Sequence, residues 1–120
     1  MKEYIKKIKH EESISVCLYI DNEKVSKIGH KMEEISELVE MGGYGWEAVM
    51  NFYLKENHPE IFEEMGSDPE ASMYVAFFNL NKKNDKSADK LVEVIIDLIE
   101  NDEKLYKLVE NNVNNIEWDN

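Results

Sequence analysis

The side chains of this chain that could do chemistry are three histidines, one cysteine and a large supply of carboxylates. His10, His30 and His58 lie far apart, and none has a second ligand at metal-binding spacing. No H-E-x-x-H, paired-cysteine or calcium-loop pattern occurs, so no metal centre is expected and the histidines read as solvent-facing. Cys17 sits in the apolar run Val16-Cys17-Leu18-Tyr19-Ile20, where a buried structural thiol is the natural reading; as the single cysteine it rules out an internal disulfide. Adjacent carboxylates occur at Glu11-Glu12, Glu33-Glu34, Glu63-Glu64 and Asp102-Glu103. Acid–base catalysis needs two carboxyls in a shared pocket, which adjacency does not supply, so these pairs read as solvated. No G-x-S-x-G elbow is present, which leaves nucleophilic catalysis without a candidate. Gly42-Gly43-Tyr44-Gly45-Trp46 opens a helix, and helix N-termini do bind anions. Here Glu47 follows at once, no lysine lies within eight residues on either side, and the Walker and dinucleotide spacings are missing. The expected role is a structural turn seating both aromatics in the core. No catalytic residue, metal or cofactor is therefore expected.

The elements that would carry these residues follow from hydrophobic period. Tyr4, Ile5 and Ile8 among lysines read as a short first strand, with His10-Glu11-Glu12 as a hairpin connection to a second strand, Ser13 to Ile20. From Val25 to Met41 the period becomes helical, with Ile28, Met32, Ile35 and Val39 on one face; Gly42-Gly43 ends it. Trp46, Val49, Met50, Tyr53 and Leu54 define a second helix that His58-Pro59 stops, and Ile61, Phe62 and Met65 fit one further turn. Met73 to Leu80 is a third strand, apolar enough to be central or well covered. Asn81 to Ser87 reads as a polar loop, with Asp85 or Ser87 capping a helix over Ala88 to Glu100. Asn101-Asp102 interrupts, and Leu105 to Ile116 forms the last helix. The order ββααβαα predicts one α+β domain over residues 1–120, a small antiparallel sheet of about three strands packed with four to five helices.

Charge is the most informative property of the chain. Fourteen lysines, with no arginine, face 26 acids, for a net charge of −12. The bidentate fork that grips phosphate is absent, and the electrostatic part of nucleic-acid affinity opposes binding, so neither nucleic acid nor an anionic membrane is an expected partner. A basic protein would be attracted. With 42% hydrophobic and 10% aromatic residues the chain is too apolar to be disordered. Met1 to His10 lacks the apolar region of a secretory signal, and no run approaches a membrane span, so a cytoplasmic location is expected. The acids are not evenly spread. From Glu33 to Glu70 there are eleven of them against the single lysine Lys55. On the predicted first helix Glu33, Glu37 and Glu40 share the face opposite the apolar stripe. With Glu63 and Glu64 they are the candidate partner-binding residues.

Gly43-Tyr44-x-Trp46-Glu47, opening a helix, is followed about twenty residues later by Asp68-x-Glu70-Ala71-x-Met73-Tyr74. This pair of motifs resembles the immunity protein 51 family of bacterial polymorphic-toxin systems, and Asp102-Glu103-x-Leu105 near the final helix junction is similar to the family's tail. The resemblance spans roughly Ser13 to Val113. Gly45 stands where the family pattern has Asp, Ser72 where it has Gly, and Tyr74 where it has Phe. Loss of the Asp argues against this turn as a functional contact, so the motif residues Gly43, Tyr44, Trp46, Glu47, Asp68, Glu70, Met73 and Tyr74 are expected to be structural. The resemblance implies a non-enzymatic, cytoplasmic antidote that binds and blocks a cognate toxin domain, many such toxins being nucleases with basic clefts. Two other readings compete with it: an acidic adaptor or nucleic-acid mimic acting on another cytoplasmic protein, and a small hydrolase using a carboxylate pair. The oligomeric state is not legible.

Overall fold

The computed structural model describes residues 2–118. Strands β1 (Ile5–Lys9) and β2 (Ser13–Tyr19) form the expected hairpin, followed by helices α1 (Glu23–Glu33), α2 (Gly43–Asn57) and α3 (Pro59–Glu64). Then come β3 (Gly66–Ser67), β4 (Met73–Asn79), α4 (Lys82–Glu100) and α5 (Asp102–Asn112). The sheet is antiparallel throughout in the order β1-β2-β4-β3, which makes the fold α+β.

Strand alternation sorts the sheet into two unlike faces. Inward on β2 and β4 stand Ile14, Val16, Leu18, Tyr74, Ala76 and Phe78, all buried. Against them pack the apolar stripe of α4, including Leu91, Ile95 and Leu98, and the inner side of α2. The outward positions of the same strands are half-buried or exposed, except Cys17.

Register also puts Lys7 on the inward side, opposite Val16, at the edge where α4 crosses β1. Its ammonium meets Asp85 and lies 2.7 Å from Asp89 Oδ1, and Lys9 reaches Asp85 at 3.2 Å. Hydrogen bonds from Lys7 and Lys9 hold the Asp85 carboxyl below its usual range. At the other end of α4, Glu100 accepts from Lys24 and from the Tyr4 hydroxyl and is likewise lowered. The hairpin is thus tied to α4 at both ends.

Two sequence expectations need correction. The helix predicted to Met41 ends at Glu33, and residues 34–42 are irregular. Carboxylates at Glu33, Glu34 and Glu37 oppose the negative end of a helix dipole. Ser36 turns its hydroxyl back to accept from the Leu38 N–H, and the Glu33 carboxylate accepts from the Met41 N–H at 2.9 Å. Val39 and Met41 reach the core from the loop itself, which is why the apolar pattern ran on. The polar stretch from Asn81 to Ser87 is the first part of α4, not a loop capped by Asp85 or Ser87. Asn81 is the cap, accepting from Asn84 N at 2.8 Å, and Asn84 is buried with its amide on Asn79 O. The expected sheet of about three strands is present, with β3 added at its edge, two residues long and too short to leave a periodic signal.

Candidate protein-binding surface

The two motif segments, distant in sequence, meet at the start of α2. A Cβ on Gly43 would stand 1.8 Å from Glu70 O and 2.5 Å from Met73 O, and one on Gly45 would stand 1.8 Å from Glu40 O. Only glycine lets the first turn of the helix lie this close to both backbones. The Gly43 N–H donates to Ala71 O at 3.1 Å, and Glu70 and Met73 pair with each other by backbone hydrogen bonds. Ser67 donates to the Glu47 carboxylate, which fastens α2 to β3. Tyr74 is fully buried; burial and the neighbouring Glu47 charge push its phenol well above the ordinary value. Asp68 and Glu70 are exposed, and Met73 is half-buried on the outward side of β4.

Tyr44 departs from the expectation that the turn seats two aromatics. Trp46 is 1% exposed, but Tyr44 is 48% exposed. Residues two apart on a helix point about 200° away from each other, so both cannot face the core. Tyr44 instead opens a second stripe along α2 with Ala48, Asn51, Phe52 and Lys55. This stripe forms one wall of a groove of about 490 Å³, with Asn115 and Glu117 of the C-terminal segment on the other side. Glu47, Glu56 and Glu117 supply three carboxylates to the groove. Its single lysine, Lys55, rests its ammonium 5.1 Å from the centroid of Phe62, which is not part of the lining. Phe52, Glu56 and Glu117 were not among the sequence candidates. The i, i+4, i+7, i+8 spacing of Tyr44, Ala48, Asn51 and Phe52 was the available signal.

The five acidic candidates do not form one cluster. With α1 ending at Glu33, the helical face proposed for Glu33, Glu37 and Glu40 does not exist. Glu33 has a local role, on Met41 N and 3.3 Å from His30 Nδ1; Glu37 and Glu40 are exposed on the loop before α2. Glu63 and Glu64 lie on α3, which follows α2 after the turn at His58, and Glu64 pairs with Lys83 at 3.2 Å. The chain after α2 turns back at His58, with Phe62 beside Lys55 and Ser67 reaching Glu47, so the two groups lie on different segments that flank α2.

Among the described residues no group of three His, Cys, Asp or Glu side chains converges as metal ligands would. Glu47 and Glu56 are nine residues apart on one helix, about 13 Å along its axis, too far apart to act as an acid–base pair. No helix is long and apolar enough to cross a membrane among the described residues.

The arrangement is one of contact: an exposed aromatic and a half-buried one in a carboxylate-lined groove. A family profile described as immunity protein 51 matches residues 5–114. The chain belongs to the immunity protein 51 family. Comparison with curated proteins and with solved structures returned no significant match. The immunity-protein match runs from the first residue of β1 to just past α5, so it takes in the whole sheet, the grooved helix and both motif segments. It rests on the fold's full length and not on the acidic stretch alone.

Proposed function

We propose that this protein is an antidote that binds a cognate bacterial toxin domain in the cytoplasm and blocks it without catalysing a reaction. The observation that carries the reading is the immunity protein 51 match across nearly the whole chain. The charge supports it: a net −12 surface speeds the encounter with a basic protein such as a nuclease. The groove along α2 supplies what charge alone does not. Tyr44 and Phe52 are the aromatic anchors that slow dissociation, and Glu47, Glu56 and Glu117 receive Lys or Arg side chains of the toxin. The exposed carboxylates of Glu37 and Glu40 on the loop, and of Glu63 and Glu64 on α3, add to the steering field.

Calorimetric titration of the chain with the toxin domain encoded beside it tests the proposal. The expected result is a sub-micromolar complex whose formation silences the toxin and whose association rate falls with added salt. No heat and no inhibition at micromolar concentration in moderate salt would overturn it.

A further inference from the structure

The outward face of the sheet is the part of the molecule that the antidote reading leaves unused. On β1, β2 and β4 its positions are Lys6 and Ile8; Ser13, Ser15, Cys17 and Tyr19; and Met73, Val75, Phe77 and Asn79. Not one is a carboxylate, in a chain with 26 of them. Ile8 and Phe77 are 38% and 42% exposed, large apolar side chains on a face that no helix covers among the described residues. Asp68 donates its N–H to Val75 O, which continues β3 by one residue and places Asp68 at an outward position opposite Val75.

These positions form four cross-strand rows, the outermost being Ser13 with Asn79 and Tyr19 with Met73 and Glu70, and two rows span all four strands. One runs Lys6, Cys17, Val75, Asp68; the other runs Ile8, Ser15, Phe77, Gly66. In the first row the ends carry opposite charges on opposite edges of the sheet, roughly 14 Å apart at ordinary strand spacing. Among the described residues neither charge has an ion pair within the chain; Lys6 only rests over the Tyr19 ring at 5.9 Å. In the second row the Phe77 ring leans over Gly66, where a Cβ would stand 2.4 Å from it.

We infer that this face binds a second copy of the chain, sheet to sheet, about a two-fold axis parallel to the strands and midway between β2 and β4. Such an axis reverses each row onto itself. Lys6 then faces Asp68 of the second copy, and Ile8 faces the Phe77 ring that covers Gly66, each contact occurring twice. An isologous interface needs a self-complementary patch, and both the charged pair and the exposed apolar pair satisfy it at once. An axis across the strands would exchange the two rows and set Lys6 against Ile8, so the arrangement selects one symmetry. Aligned sheets pack about 10 Å apart at about 30°, and the long Lys6 stem spans the small offset this leaves at the edges. The absence of carboxylates from β1, β2 and β4 is what lets two chains of charge −12 approach here. This inference does not depend on the antidote reading.

Sedimentation equilibrium of the intact chain, without toxin, provides the test. Wild type is expected to dimerise in the micromolar range at low salt. K6D and D68K should each weaken the dimer at least about tenfold, and the exchanged pair K6D/D68K should recover most of the loss. F77K should be monomeric with an unchanged far-UV spectrum. A wild-type monomer at high micromolar concentration overturns the inference, as does a dimer indifferent to K6D, D68K and F77K. A face whose substitution abolishes toxin binding while wild type alone stays monomeric overturns it too, in favour of the toxin as occupant.

Discussion

Two neighbouring stretches of this chain, Glu33–Glu40 and Gly42–Trp46, are specified in opposite ways. In the second, backbone atoms of Glu40, Glu70 and Met73 crowd the places where side chains of residues 43 and 45 would begin, and the Trp46 side chain is buried. In the first, Glu34, Glu37 and Glu40 are exposed, and the loop is held by a serine turn, one carboxylate and the buried Val39 and Met41. Sterics act at single atoms over tenths of an ångström. Screened charges act together over a Debye length of about 8 Å. The first stretch therefore tolerates exchange of one acid for another, and the second tolerates almost nothing at Gly43, Gly45 and Trp46.

The largest expected effect lies in the glycine turn. Gly43→Ala must move α2 away from the Glu70–Met73 turn, and a loss of about 3 kcal/mol or more is expected in urea unfolding. Gly42→Ala meets only Ala71 O at 3.0 Å and should cost clearly less. Equal losses for the two would break the steric account.

Tyr44 stands inside the same turn but belongs to the surface. Tyr44→Ala should leave the unfolding midpoint nearly unchanged, since the ring is 48% exposed. It should raise the dissociation constant for the toxin domain about tenfold or more, chiefly through a faster off-rate. A stability loss as large as that of Gly43→Ala would return Tyr44 to the core; unchanged affinity would remove it from the interface.

The difference between the two stretches also explains what was legible in the sequence. Helix α2, strands β2 and β4 and the core face of α4 were readable because each buries one regular stripe. The end of α1 was not, since Val39 and Met41 continue a helical apolar period from an irregular loop. The first turns of α4 were hidden by Lys82 to Ser87, a polar run whose helical state depends on the Asn81 cap and on the amide of buried Asn84. The candidate surface was legible in sign but not in place. Charge runs mark an acidic segment, yet only the fold shows that α1 stops at Glu33, leaving Glu37 and Glu40 on a loop, and that Glu64 is paired with Lys83.

Lys7 lies between the two regimes, a charge placed by register at the edge of the core. Lys7→Met removes an ammonium whose proton the Asp85 and Asp89 carboxylates retain against the effect of burial. A moderate loss of stability at neutral pH is expected, smaller than that of Gly43→Ala. Asp85 titrates lower in the folded chain than its ordinary 3.8, so its contribution is present above that value and lost as pH falls through the folded one. The gap between wild type and Lys7→Met should therefore narrow on acidification below about pH 4. A gap that stays constant on acidification would assign the role of Lys7 to packing alone.

The smallest effects belong to the loop. Glu37→Gln should change stability by less than about 0.5 kcal/mol, because the side chain is exposed on an irregular segment. Its effect on toxin binding should be confined to the association rate and should vanish in high salt. Glu40→Gln should behave alike, and the double variant should show the two losses summed, as separate contributions to one field do. Glu33→Ala breaks the equivalence, for it removes the acceptor of the Met41 N–H and should cost stability as well as rate. If all three variants proved identical in both measurements, the loop would be a plain reservoir of charge, and the hydrogen bond from Met41 would have no part in holding it.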